Sequence, residues 1–404
     1  MPTPADIARL NLAGHALSPG AQRSWWLRDA LAAEPGVPCP PLTKDASADV
    51  VIVGGGFTGL WTAYFLTEAD PNLRIAVLDQ DICGRGPSGR NGGFASGWWG
   101  ARRAHRSVWS GSGSARLPGD FRKHRVHRGV LRSPRRRRLV KRAGYVFAAA
   151  ATEHVAVCEQ MVRMAAEVGA ANELRPLTAD EVRARCDSPA FRAGAFMQDG
   201  ASVQPALVVR GLRRVLLGRG VTIHEGTTVT RLEAGPPAVA VTAGGTIRAP
   251  HAVMAVNAWA MGWPWFRRRL VAWSSYIVLT APAPDRLDAM GWMGGEIISD
   301  LRTSVRYFRT TRDGRIAFGG GGGRAGTRIG DSFTKDMRAV VESAEGFRRL
   351  FPSFADVPIV DAWVGRSTCR RRICRRLEAS CTTSTTGLAT RETGLHRHTW
   401  PAKS

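Results

Sequence analysis

Residues 48–59 read Ala-Asp-Val-Val-Ile-Val-Gly-Gly-Gly-Phe-Thr-Gly, and residues 75–79 read Ile-Ala-Val-Leu-Asp. Val50 to Val53 form a short β-branched run of the kind that fills a buried parallel strand, and the run stops at glycines. Gly54 allows a tight turn, Gly56 lets backbone N–H groups approach a pyrophosphate, and Gly59 permits close packing of the helix that follows. Phe57 and Thr58 open that helix, which continues through Leu60 to Leu66, and Arg74 to Leu78 is a second strand. Phosphates are then expected at the helix N-terminus, where unpaired N–H groups and the macrodipole favour negative charge. Asp79 lies 20 residues past Gly59, placed to accept from ribose hydroxyls and to reject a 2′-phosphate; Gln80 follows it. The stretch therefore predicts a dinucleotide site for FAD or NAD rather than NADP. Residues 50–67 hold no charge, but the four glycines among them argue against a membrane span.

The choice between flavin and nicotinamide rests on the next loop, Ser88-Gly89-Arg90-Asn91-Gly92-Gly93. Here the sequence resembles the FAD-dependent amine and amino-acid oxidoreductases, the family of glycine and D-amino-acid oxidases, most nearly the γ-glutamylputrescine oxidoreductase branch. The resemblance implies that this loop runs under the flavin. It extends to Gly220-Val221-Thr222-Ile223 with Thr228-Val229-Thr230, implied to close over the adenine with Val229 as a backbone contact. Ala255-Val256-Asn257-Ala258-Trp259 resembles the strand that returns to the FAD domain, which places Asn257 among the cofactor-binding candidates. Residues 300–323, with Tyr307-Phe308-Arg309 and Asp313-Gly314-Arg315, resemble the substrate-domain sheet. Together these cover about three-quarters of the chain.

The implied fold is α/β, a Rossmann-like FAD-binding domain with an inserted α+β substrate domain on a mixed or antiparallel sheet. Its length of 404 residues suits two intertwined domains. The expected division is an N-terminal extension, 1–45; FAD-binding domain, 46–100 and 201–260; substrate domain, 143–200 and 261–362. Thr178-Ala179-Asp180-Glu181 reads as a capping box, and Pro205 opens a helix through Leu217. Trp25-Trp26 in the extension is expected to pack on the surface.

Net charge is +24, but it is concentrated. Residues 101–142 hold 15 basic and 1 acidic residue, and residues 366–404 hold 9 basic and 2 acidic, leaving only +3 on the other 323. Both segments lose the surrounding apolar periodicity where the family resemblance stops. The favoured reading is that 101–142 and the basic tail, 363–404, are read in a shifted frame. Val130 to Val140 can be back-translated so that the frame one nucleotide later gives Phe-Cys-Glu-Ala-His-Gly-Val-Asp-Ala-Trp, and Leu388 to Gly394 can hide Leu-Gly-Tyr-Thr-Gly-Asn-Gly, which resembles the family's C-terminal flavin loop. A non-specific RNA-binding insertion and a functionless basic loop and tail remain open. On the frame reading, the polypeptide as written binds FAD weakly or folds poorly.

Seven cysteines show no metal spacing, and the N-terminus has no signal-peptide pattern, so a reduced cytoplasmic location is expected, with no metal, no membrane span and no specific nucleic acid. The resemblance implies oxidation of the C–N bond of an amine or amino acid by hydride transfer to flavin, the imine then being hydrolysed, with oxygen as acceptor. No catalytic base is assigned. Strand alternation puts Arg302 and Arg306 on one face and Tyr307 and Arg309 on the other; Arg302, Arg306 and Tyr307 are candidates for holding a substrate carboxylate, against solvent-facing arginines. An inactive relative and an NAD-dependent dehydrogenase are the competing functions. Oligomeric state and the particular amine do not follow from the sequence.

Overall fold

The computed structural model describes residues 1–18, 23–96, 140–167, 169–302, 304–320 and 333–370. The calls on 101–139 and 371–404 lie outside these residues.

The β-branched run Val50–Val53 is a strand with all four residues buried. It pairs in parallel with Ile75–Leu78 on one side and with His251–Met254 on the other, and Thr222–His224 extends the sheet beyond Ile75–Leu78. Helix Phe57–Ala69 follows the first strand directly, with Gly56 at its N-cap, and helix Pro205–Leu217 packs nearby. Both helices pack on the face that carries Val50, Ile52, Ile75 and Val77, while Val51, Ala76 and Leu78 on the opposite face pack against Ala240, Ile247 and Ala249 of a second sheet, so the parallel strands are covered on both sides. The run 255–259 differs from expectation: the returning strand ends at Met254, and Asn257–Gly262 is a short 3₁₀ helix beyond it. Val256, at φ −95° and ψ 10°, has already left the extended conformation, and Asn257 sits at φ 46°, a left-handed conformation that Asn tolerates.

A second, antiparallel sheet joins Val229–Glu233, Ala238–Thr242 and Gly245–Ala249, with Ala46–Ser47 added in parallel at its edge. A third joins Phe94–Ser96, Gly200–Val203 and Val140–Arg142.

The large sheet has eight strands in the order Ile359–Arg370, Leu270–Thr280, Ile316–Gly320, Arg306–Thr310, Ile297–Asp300, Tyr145–Ala149, Ala193–Met197, Leu174–Thr178. All pairings are antiparallel except the one between Tyr145–Ala149 and Ile297–Asp300. The expected tail boundary at 363 is therefore displaced: Trp363 and Val364 are buried, and the strand pairs with Leu270–Thr280 through Arg370. Helix Met337–Leu350 closes one face of this sheet, its Phe347 packing into one core with Phe308 and Phe318 of the strands. The Thr178–Glu181 capping box forms, and the Pro205 helix ends at Leu217.

The extension is not peripheral. Trp26 is fully buried, edge-on to Trp363 at 5.8 Å and part of one core with Phe94, Tyr145 and Tyr307, which corrects the surface reading of Trp25-Trp26. The physical reason is area: an aromatic side chain buries roughly 150–250 Å². At roughly 25 cal/mol per Å² that is an upper bound of about 4–6 kcal/mol, too much to leave in water when a sheet face is open.

Candidate functional site: a dinucleotide cavity and the loop behind it

The parallel sheet and the glycine turn create a cavity of about 380 Å³ at the carboxyl ends of the strands. This is where a doubly wound sheet leaves room for a ligand. Gly54 turns the chain at φ 112°, and a Cβ there would stand 2.5 Å from Ala255 O; a Cβ on Gly59 would stand 2.0 Å from Gly54 O. No other residue type fits either place without moving backbone.

Asp79 directly follows the second strand, Ile75–Leu78, and lines the cavity. Its carboxylate accepts from Gly55 N at 2.8 Å and Asp81 N at 2.9 Å, so the strand end and the glycine turn are fastened together. Burial pushes its pKa up to about 6, against those two N–H donors, which pull it down. A ribose hydroxyl donating to this carboxylate would stabilise its charged form. Phe57 N donates to Ser88 Oγ at 2.8 Å, joining the helix start to the next loop.

Of the residues singled out from the sequence, Gly54, Gly56, Phe57, Thr58, Asp79, Gln80, Ser88, Val229 and Asn257 line this one cavity. Gly59 supports it from behind. Gly89, Arg90, Asn91, Gly92 and Gly93 do not line it; they continue from Ser88 towards the eight-stranded sheet. Arg90 is buried, donates to Arg85 O at 2.8 Å and Val364 O at 3.3 Å, and lies 3.7 Å from the centre of the Phe333 ring.

The substrate candidates separate. Tyr307 faces this loop: its ring packs by Phe94 at 5.9 Å, and a Cβ on Gly92 would stand 2.9 Å from it. Its hydroxyl shares a hydrogen bond of 2.8 Å with Ser275. Arg309, on the same face, donates to the carbonyls of Gly93 at 3.1 Å and Val203 at 2.6 Å, and burial pushes its pKa down to about 9. Arg306 goes the other way, its guanidinium against Phe318 and the Gly346 side of helix Met337–Leu350. The alternation across residues 306–309 is as expected, but the face carrying Arg306 is the helix-covered one, so Arg306 is removed from the substrate set. Arg302 lies before the strand, and its Nε pairs with Asp300 at 3.1 Å.

Sequence reasoning missed several lining residues. Trp259 and Trp263 line the cavity, as does Phe333. Trp259 stood in a quoted motif without being given a site role; Phe333, nearly 300 residues from the glycine turn, carried no local signal. Trp259 Nε1 is a buried donor with no partner among the described residues. Glycines that a Cβ would fill, a carboxylate at the second strand end and an unused donor in the wall all suit a dinucleotide such as FAD.

A buried ion cluster braces the site from below. Glu225 accepts from Cys83 N at 2.8 Å, from Arg210 at 3.2 Å and from Arg213 at 2.8 Å. The two arginines also hold the carbonyls of Pro35 and Val37. Cys39, Cys83, Cys158 and Cys186 are free and buried, and no metal-binding group of His, Cys, Asp and Glu occurs among the described residues. No described helix is long and apolar enough to cross a membrane.

Comparison with known proteins agrees with this geometry. The chain is 27% identical over 392 residues to the probable oxidoreductase OrdL of Rhizobium meliloti, covering 91% of this chain and 83% of that one. It is 25% identical over 335 residues to the gamma-glutamylputrescine oxidoreductase of Escherichia coli, covering 81% and 75%. Among solved structures, glycine oxidase from Geobacillus kaustophilus superimposes with a TM-score of 0.62 at 19% identity, over 81% of this chain and 84% of that one. Residues 49–382 match the family described as DAO, FAD dependent oxidoreductase. The chain, built on a mixed α/β fold around a dinucleotide cavity, belongs to the FAD-dependent oxidoreductases of this family.

Proposed function

We propose that this FAD-dependent enzyme oxidises the C–N bond of an amine or amino acid. The observation that carries the reading is the continuity between the cavity holding Asp79 and the buried Ser88–Gly93 loop, which ends against Tyr307 of the large sheet. FAD, when bound, supplies the hydride acceptor. The Gly54–Gly59 turn would hold the pyrophosphate, Asp79 the ribose, and Val229 and Asn257 the edges of the adenosine half. Ser88 to Gly93 would lie under the ring.

The chain's own share is binding and orientation. A neutral amine needs no protein base to deliver its α-hydrogen. Tyr307 is the described polar side chain on the loop's side of the sheet best placed to orient a substrate. The imine product is hydrolysed by water, and oxygen is the proposed final acceptor.

In this reading the FAD-binding unit is discontinuous, 46–100 with 201–260, and a small-molecule amine is the partner in place of nucleic acid. The frame reading of 101–142 and the basic tail stays part of the proposal, and sequencing the gene across both segments tests it.

The function is tested on the purified chain by its visible flavin bands, then by anaerobic bleaching with amines and amino acids, then by peroxide release in air. Bleaching by an amine and not by hydroxy acids supports the reading; a colourless protein that reduces added NAD⁺ as it oxidises its substrate would sink it.

A further inference from the structure

The carbonyl oxygens of the Ser88–Gly93 loop are taken up in turn by side-chain donors from distant parts of the chain. Ser24 Oγ donates to Gly89 O at 2.5 Å, Trp363 Nε1 to Arg90 O at 2.9 Å, and Trp26 Nε1 to Asn91 O at 3.0 Å. Arg309 then donates to Gly93 O at 3.1 Å. All four donors are at least nine-tenths buried.

They also hold one another. Trp26 lies edge-on to Trp363, and the Arg309 guanidinium sits 4.9 Å from the Trp26 ring. Gln204 donates to Trp26 O at 2.7 Å and to Asp29 at 2.9 Å, and Arg28 pairs with buried Asp361. The N-terminal arm is thereby fixed to the strand that carries Trp363.

A trans peptide points its N–H opposite to its C=O. Capping the carbonyls of Arg90 and Asn91 therefore turns the amides of Asn91 and Gly92 to the side away from Trp363 and Trp26. Four buried donors make this orientation costly to reverse, because each freed carbonyl or indole N–H would lose its partner in the core.

We infer that Ser24 and Trp26 of the N-terminal arm, with Trp363 and Arg309, are positioning residues for the flavin ring, fixing which side of the 89–93 loop faces the cofactor. The inference rests on the proposed placement of that loop under the ring. The arm is in this sense part of the cofactor site although it lines no part of the cavity.

The test uses the full chain with Trp26→Phe, which keeps a ring and removes the N–H, and Ser24→Ala as a second variant. In the FAD-free protein, hydrogen exchange of the peptide covering 84–95 should accelerate about tenfold in both, while the peptide covering 50–60 stays unchanged. In binding, the FAD dissociation constant should rise about fivefold, the value of one ordinary hydrogen bond, while that of ADP, which probes only the pyrophosphate half, stays within twofold. The visible spectrum of bound flavin should shift with it.

Unchanged exchange at 84–95, or equal weakening of FAD and ADP, overturns the inference. Gly92→Ala separates the two layers of the argument. If it alters the FAD-to-ADP ratio and Trp26→Phe does not, only the positioning role falls; if neither does, the loop is not at the ring and the proposed placement falls with it.

Discussion

The two ends of the cofactor site are built by different means. At the pyrophosphate end, the strand, turn, helix, second strand and Asp79 occupy residues 50–79, and the fastening contacts, Asp79 to Gly55 and Phe57 to Ser88, stay within about thirty residues of chain. At the loop end, Gly89 to Gly93 are held by residues 24, 26, 309 and 363. The first is a local device whose chemistry is written into its own motif. The second is assembled from the far ends of the molecule, so its order depends on the whole fold.

That contrast can be broken most directly at Gly59. A Cβ there meets Gly54 O at 2.0 Å, so Gly59→Val should abolish the FAD binding that titration measures on the parent chain; a variant that binds FAD as the parent does would mean the turn is not the cofactor's cradle. Glu225→Gln comes next. It leaves Arg210 and Arg213 without their buried counter-charge, and urea unfolding should report a loss of about 3 kcal/mol. A loss below about 1 kcal/mol would show that the cluster merely decorates the sheet.

Asp79 gives a pH signature confined to the local end. Its pKa in the FAD-free protein is raised to about 6, so below that pH it is mostly neutral and accepts poorly from ribose. FAD affinity should therefore rise about tenfold between pH 5 and 7.5 and level off above, since apparent affinity scales with the competent fraction. Asp79→Asn should flatten the profile, and a profile unchanged by the substitution would remove Asp79 from the ribose. The smallest effect belongs to Arg306. Because its guanidinium packs beneath helix Met337–Leu350, Arg306→Leu should leave the amine KM within twofold; a larger rise would return it to the substrate set.

Legibility followed the same division. The glycine turn, the helix from Phe57, the strand ending at Leu78 and the helix from Pro205 to Leu217 were all readable, because each is set by neighbours in sequence: alternation, capping and turn chemistry. What misled were positions decided by tertiary packing. Trp26 looks like a surface aromatic until the sheet face it covers is known. Arg306 and Tyr307 are adjacent, and alternation alone gives two faces without saying which one a helix will cover. Phe333 has no motif at all. The basic excess of 101–142 and the tail is visible only as composition, and most of both segments lies outside the described residues.

Trp363 lies on the last described strand, 273 residues after the carbonyl it holds. On a ribosome adding about 5–20 residues per second, the glycine turn would be made roughly 15–60 s before that indole is synthesised. The first half of the site must therefore wait, exposed, for its completion. A nascent chain stalled short of residue 363 would hold a dinucleotide turn without a fixed loop beside it. Cofactor capture that depends on both consequently follows the synthesis of residue 363.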